Sequence, residues 1–325
     1  MGNRSIKWGI VGLGNIANQF ASDLVLIENA ELTAVASRDL AKAEEFGGKF
    51  NALRMYNSYD LLFEDSEVEI VYIATPHNSH AELSIKALES GKHVLCEKPM
   101  SLSFKDTQRI IDASKKYDRF FMEAFWTRFI PSVQDVLEKI GKGIIGDINY
   151  IKADFAFHGS ETENKRLFDK ALGGGALFDI GVYPLFLSYI LLGYPKEIAA
   201  KAIEHKNDID LQTSMILQYE TAQSVLHASI VSESDMKAVI AGTKGRIELN
   251  APWFIADGYS LYINEEKEAT FTLPALGKGY SHEIIECQNC ILSNEIESKL
   301  WSHQNCLDLS RIVEDIKNQI GLSFI

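Results

Sequence analysis

Over its first 125 residues the chain alternates short apolar runs with amphipathic stretches. Ile6–Val11, Leu32–Ser37, Ile70–Ala74, His93–Cys96 and Phe120–Ala124 read as short strands, most of them nearly continuously apolar. Helical periodicity fills the intervals from Asn15 to Ile27, Asp39 to Phe50, Ala81 to Leu88 and Ser103 to Tyr117. Asp39 is placed to cap the second helix, Ser103 and Asp106 lie near the start of the fourth, and Gly91 stops the third. Strands alternating with helices predict a mainly parallel, doubly wound sheet.

After Trp126 the period shortens to two. Ile148–Phe157 alternates apolar and polar residues, and Ile198–Glu204, Thr213–Tyr219, Ser224–Ile230, Met236–Gly242 and Arg246–Leu249 follow as strands. Tyr259–Asn264 and Ala269–Leu273 continue the series, one apolar helix spans about Ala176–Leu192, and a helical tail runs from about His282. Strands in succession predict a large, mostly antiparallel open sheet in an α+β domain. The expected fold is therefore α/β, with domains at residues 1–125 and 126–325, since 325 residues exceed one typical core.

Composition adds exclusions. A formal charge of −13 and a pI of about 5.1 disfavour general affinity for nucleic acid or anionic membrane. Met1–Ile6 is short and polar without a signal-peptide core, and no uninterrupted apolar run reads as long enough to span a bilayer. Four cysteines in so long a chain do not make a disulfide framework, which implies a reduced, cytoplasmic setting. An uncovered sheet in the second domain implies a homodimer formed through it.

Gly12-Leu13-Gly14-Asn15-Ile16-Ala17 follows the first strand and opens a helix. It fits G-x-G-x-x-G/A, in which the glycines admit a tight turn and a pyrophosphate, and Ala17 permits close helix packing. The helix N-terminus then offers free amides to the phosphates. This is a Rossmann dinucleotide-binding arrangement, with Asn15 and Ile16 in the phosphate turn. The acidic ribose ligand usual after the second strand is replaced by Ser37-Arg38-Asp39. Arg38 suits a 2′-phosphate and Ser37 can donate to it, which favours NADP over NAD, while Asp39 serves either the ribose or the next helix.

Three further segments carry chemistry. Thr75-Pro76-His77-Asn78 follows the fourth main strand, and Glu97-Lys98-Pro99 ends the fifth. A lysine at the carboxyl end of a buried strand is costly unless its charge is used. In the second domain Gly173-Gly174-Gly175 precedes Asp179 and Tyr183, which are four apart and share a helical face. The glycines are expected to let backbone and cofactor approach closely. Tyr183 becomes a usable acid/base only if a cation stabilises its phenolate, a charge Lys98 can supply while also binding the substrate oxygen. Asp179 would orient Lys98 or a substrate hydroxyl, and His77 would sit near the nicotinamide and ribose. Trp126 and Trp253 are candidates for an apolar or sugar-stacking wall, and Arg128 for a polar substrate group. Cys287, Cys290, His303 and Cys306 have zinc-like spacing, but Glu283–Leu292 reads as one helix in which Cys287 and Cys290, three apart, share a face, and Cys is a common buried small hydrophobe, so no metal is expected.

In order and spacing, Gly12–Ala17, Thr75-Pro76, Glu97-Lys98-Pro99 and the Gly-rich Asp179 motif make the chain resemble the glucose–fructose oxidoreductase/inositol dehydrogenase/MocA family of NAD(P)-dependent oxidoreductases. Many members carry His four residues after the Asp. Tyr183, with Met122–Phe129 and Trp253, instead resembles the dimeric dihydrodiol dehydrogenase branch. The resemblance implies NADP-linked hydride transfer at a secondary alcohol of a sugar, cyclic polyol or trans-dihydrodiol, a small carbohydrate or dihydrodiol being the substrate. Two other functions use the same fold: a sensor of NAD(P)H without turnover, and a sugar-modifying enzyme that recycles a tightly bound NAD.

Overall fold

The computed structural model describes residues 4–324; Met1–Asn3, the start of the polar N-terminus, and Ile325 lie outside the described residues. The first six strands are β1 (Ile6–Val11), β2 (Ala30–Ala36), β3 (Arg54–Tyr56), β4 (Ile70–Ile73), β5 (His93–Glu97) and β6 (Phe121–Ala124). They form one parallel sheet in the order β3-β2-β1-β4-β5-β6. The helices between them are α1 (Asn15–Leu24), α2 (Leu40–Phe50), α3 (Tyr59–Glu64), α4 (His80–Glu89) and α5 (Phe104–Tyr117). Strand order reverses between β1 and β4, and ligands of open α/β sheets bind beyond the strand ends at such a switch. The short β3 and α3 were not read from the pattern because β3 is a half-exposed edge strand without an apolar run.

Local chemistry sets the helix ends. Asp39 accepts the Ala41 amide at 3.0 Å and so caps α2. Ser103 accepts the Asp106 amide at 3.1 Å while donating to the Asp106 carboxylate at 2.8 Å, which starts α5.

The second sheet comprises β7 (Ile148–Ala156), β8 (Glu197–Glu204), β9 (Asp210–Gln218), β10 (Gln223–Ser229), β11 (Ala238–Gly242), β12 (Gly245–Leu249), β13 (Gly258–Ile263) and β14 (Glu266–Thr272). Its order is β14-β13-β12-β11-β7-β10-β9-β8, antiparallel except where β7 and β10 run parallel. Helix α6 (Pro131–Gly141), absent from the sequence reading, precedes the sheet and starts with proline at its first position. Helix α7 (Val182–Leu192) is entered through a π-helical turn, Leu177–Gly181. The stretch Lys170–Leu192 is, against the sequence expectation, long and apolar enough to cross a membrane. Its apolarity is that of a core helix, since Val182–Tyr189 are buried throughout.

Helices α8 (Ser281–Leu292) and α9 (His303–Gln319) end the chain. The molecule divides into a first unit of residues 1–129 and 275–307 and a second of 130–274 and 308–325. The division thus differs from a single cut at residue 125, because the chain returns to the first unit. Asp23, 1% exposed at the end of α1, explains the return. Its carboxylate accepts the amides of Lys278 (2.8 and 3.0 Å) and Ser281 (3.1 Å) ahead of α8. Ile296 then pairs with the β6 edge by accepting the Phe121 amide at 3.0 Å.

Asp23→Ala is expected to cost about 2–4 kcal/mol by orphaning those amides. Hydrogen exchange checks it: the amides of 275–292 should lose protection before those of β1 and β4, and unchanged protection would overturn the role of Asp23.

Candidate active site

The turn between β1 and α1 fits a dinucleotide phosphate. Gly12 adopts φ +84°, and a Cβ there would lie 2.6 Å from the Ala74 and Thr75 backbone, so only glycine lets this turn close against the end of β4. A Cβ on Gly14 would meet nothing within 4 Å, so open space lies in front of the α1 N-terminus. The first amides of α1, including those of Asn15 and Ile16, have no partners inside the helix and carry its positive dipole end. Arg38 is exposed beyond β2, beside a partly buried Ser37 whose hydroxyl accepts the Asp39 amide at 3.2 Å. Asp39 uses its Oδ1 to cap α2, with Arg38 exposed beside it. These residues would hold an NAD(P), which when bound supplies or accepts hydride at its nicotinamide.

Beyond β4, Thr75 is buried and its hydroxyl accepts from Ser79 at 2.7 Å. Pro76 follows, His77 is 7% exposed and packs 5.6 Å from the His80 ring, and Asn78 is exposed. At the end of β5, Glu97 is buried; its Oε2 accepts the Lys98 amide at 3.2 Å and its Oε1 accepts the hydroxyl of the fully buried Tyr72. Burial, then the Glu97 charge, push the Tyr72 phenol well up, so it stays a donor. Lys98 itself is partly buried. On β6, buried Glu123 accepts the Met100 amide at 2.9 Å. Desolvation raises its carboxyl to about 7, against the pull of that amide, the Cys306 thiol and the Lys98 charge. Glu123 was not singled out from the sequence, where it sits in an otherwise apolar strand.

Trp126 stacks on Tyr280 at 4.7 Å with planes 1° apart, so the stacking partner comes from the returning segment. Arg128 is 9% exposed and its Nε donates to the Leu300 carbonyl at 2.8 Å. That bond spends part of the guanidinium on anchoring the chain rather than on a substrate.

The second unit assembles its own group. Asp179 pairs with Arg166 at 2.5 Å, a partner the sequence reading did not supply. Tyr183 is 5% exposed and lies 5.4 Å from the rings of both Phe155 and Phe254, which stack on each other at 4.0 Å. Trp253 is a correction: it is fully buried and donates its indole N–H to the Asp154 carbonyl at 2.6 Å, so it is a core residue. Phe254, its neighbour, is the ring that faces Tyr183. The triple glycine is also corrected. Gly175 adopts φ +107° and its Cβ would lie 2.4 Å from Asp210, so the space serves the chain itself. Asp210 accepts the Leu177 amide at 2.8 Å and the Thr213 hydroxyl at 2.6 Å, which fixes the start of the π turn carrying Asp179. All four cysteines are free and buried, and burial pushes the Cys287, Cys290 and Cys306 thiols up.

A dinucleotide cradle at a topological switch, a lysine at the next strand end and a separate α+β unit define a two-domain NAD(P)-dependent oxidoreductase. The profile of the oxidoreductase family with an NAD-binding Rossmann fold, GFO_IDH_MocA, matches residues 6–125, and that of the GFO/IDH/MocA C-terminal domain matches 133–248. The chain belongs to the Gfo/Idh/MocA oxidoreductase family. It is 34% identical over 333 residues to trans-1,2-dihydrobenzene-1,2-diol dehydrogenase of Mus musculus, covering 98% of each chain. The Xenopus tropicalis protein of that name is 32% identical over 332 residues, covering 98% of this chain and 99% of the other. A solved structure of a 3-ketoreductase from Actinomadura kijaniata in complex with NADP superimposes with a TM-score of 0.89 at 25% identity, covering 98% of each chain.

Glu123 also makes stability depend on pH. Its folded acidity, about 7, lies above the ordinary 4.5, so the native state holds the proton more tightly than the unfolded chain. The stability this proton lends is complete below about pH 4.5 and is lost as pH rises through about 7, a total of about 3 kcal/mol. Glu123→Gln keeps an acceptor for Met100 and removes the titration. Its stability relative to the parent chain, from denaturant unfolding, should rise by about that amount across the interval; a flat difference would contradict it.

Proposed function

We propose that the enzyme transfers hydride between NADP and a secondary alcohol or ketone of a sugar, cyclic polyol or trans-dihydrodiol. Lys98 and Tyr183 assist the proton transfer. The observation that carries this reading is the placement of Lys98, a partly buried cation on a strand end whose neighbouring amides are held by two buried carboxylates. A charge kept in that setting stabilises negative charge developing on a substrate oxygen. Tyr183 is the hydroxyl of the aromatic group in the second unit, and Asp179 is fixed by Arg166. The relatives' name supports a diol substrate. The solved 3-ketoreductase supports NADP, and variants of it replaced a lysine and, separately, a tyrosine. Gly12, Gly14, Asn15, Ile16, Thr75, Pro76, His77, Asn78 and Glu97 are assigned to cofactor binding, with Ser37 and Arg38 at the 2′-phosphate.

Reduced-nicotinamide absorbance in a screen of trans-1,2-dihydrobenzene-1,2-diol, pentoses and cyclic polyols with NADP and NAD in parallel tests the reading. Lys98→Met should lower turnover at least 100-fold with NADP affinity nearly intact, and Tyr183→Phe should lower it and alter the pH profile. Unchanged turnover in Lys98→Met would sink the assignment. Arg38→Ala should weaken NADP about 10-fold or more and leave NAD unchanged; equal loss for both would remove Arg38 from the 2′-phosphate.

We also propose a homodimer through the second unit's sheet. Ile216 of β9 and Val225 of β10 are directly paired across the strands, and both are exposed, at 46% and 41%. Ile216→Glu should shift the mass in solution to that of a monomer, and a parent chain that is itself monomeric would exclude the dimer. Four free, buried thiols support a cytoplasmic location, which cell fractionation tests.

A further inference from the structure

His80 opens α4, is 0% exposed, and touches the loops after two adjacent strands at once. Its Nε2 lies 2.7 Å from the Thr75 carbonyl oxygen, beyond β4. Its Nδ1 lies 2.8 Å from the Pro99 carbonyl oxygen, beyond β5. Both partners are main-chain carbonyls, which accept and never donate. A neutral imidazole has one N–H and one lone pair, so either tautomer would aim a lone pair at a carbonyl oxygen within contact distance. Only the imidazolium, with two N–H donors, makes both contacts into hydrogen bonds.

A buried cation needs compensating charge. The same sheet edge carries buried Glu97 on β5, whose other oxygen accepts the Tyr72 hydroxyl, and buried Glu123 on β6, whose carboxyl is raised to about 7 by desolvation and is therefore only partly ionised at neutral pH. They grip the residues on either side of Pro99: Glu97 accepts the Lys98 amide and Glu123 accepts the Met100 amide. With the His80 contact, three consecutive residues each have a main-chain group held by a buried, ionisable side chain. At its other nitrogen the same ring ties down Thr75, the first residue of the segment that includes Pro76, His77 and Asn78.

We propose that His80 is a buried imidazolium that cross-ties the Thr75 and Lys98–Met100 loops, a positioning residue for Lys98 and for the nicotinamide side of the cofactor site. The positioning half rests on the assignment of Lys98 to the reacting centre; the charged state of the ring does not.

Two measurements separate these halves. In the full chain labelled with ¹⁵N-histidine, the His80 ring signals are those absent from the spectrum of His80→Gln. At pH 7 both of its ring nitrogens should resonate as protonated. A strongly deshielded, unprotonated nitrogen on that ring would overturn the imidazolium. In the second measurement, His80→Gln, which retains one donor, is compared with Lys98→Met, using trans-1,2-dihydrobenzene-1,2-diol with NADP. Positioning predicts a fall in kcat of about 10–100-fold for His80→Gln, with the substrate KM within about threefold and the fold intact by circular dichroism. A parental kcat in His80→Gln, while Lys98→Met is inactive, would overturn positioning alone. Full turnover in Lys98→Met would remove the Lys98 reading and positioning with it, while the nitrogen spectrum would still decide the charge on His80.

Discussion

A parallel sheet hydrogen-bonds its strands to one another, but where the chain leaves the ladder at the carboxyl edge its peptide groups need other partners. Here those partners are buried side chains. Glu97 holds the Lys98 amide, Glu123 the Met100 amide, and His80 the carbonyls of Pro99 and Thr75. Ordering three loop residues costs roughly 1–2 kcal/mol each in backbone entropy. A net hydrogen bond contributes roughly 0.5–1.5 kcal/mol and an unsatisfied buried group costs roughly 1–3 kcal/mol, so one satisfied bond per residue offsets much of that ordering cost. The rigidity is local and in good part polar. A lysine on such a segment has its backbone fixed on both sides.

The second unit solves the same problem with one carboxylate. Asp210 sits where the Gly-rich turn becomes helical and takes the Leu177 amide, and Gly175 exists because any side chain there would collide with that carboxylate. Around this point Leu167, Phe168, Ala176, Ile180, Ile209, Ala228 and Ile230 form an apolar cluster. Asp179 and Tyr183 therefore project from a helix start that is fixed on both its polar and its apolar sides. The π turn changes the spacing between them from that of a plain α-helix, so the four-residue interval alone does not describe their relation.

Much of this was legible in the chain. Continuous apolar runs announced β1, β4 and β5, and alternation of apolar and polar residues announced β7, because burial on two faces and on one face leave different periods. Elements without that signature were silent: β3 is short and half-exposed, and α6 buries only a narrow stripe. Lys98 and the Gly12 turn stood out because each violates a local expectation, a charge in a buried run and glycines at a strand end. Glu123, Asp210, Arg166 and His80 did not, since a polar residue in sequence gives no sign of which distant amide, carbonyl or carboxylate it meets.

By itself, then, the sequence determined the class of fold, the dinucleotide turn and the lysine-bearing strand end, all features written in local periodicity and in residues a few positions apart. Tertiary structure alone decided the return of residues 275–307 to the first unit, through an Asp23 carboxylate that receives amides more than 250 residues away. It also decided that Trp253 belongs to the core while Phe254 faces Tyr183, and that the Lys98 loop is held from other elements by Glu123 and His80. These outcomes depend on partners brought together by folding, and hydrogen-bond satisfaction is a property of the assembled neighbourhood, whereas hydrophobic periodicity is a property of the chain.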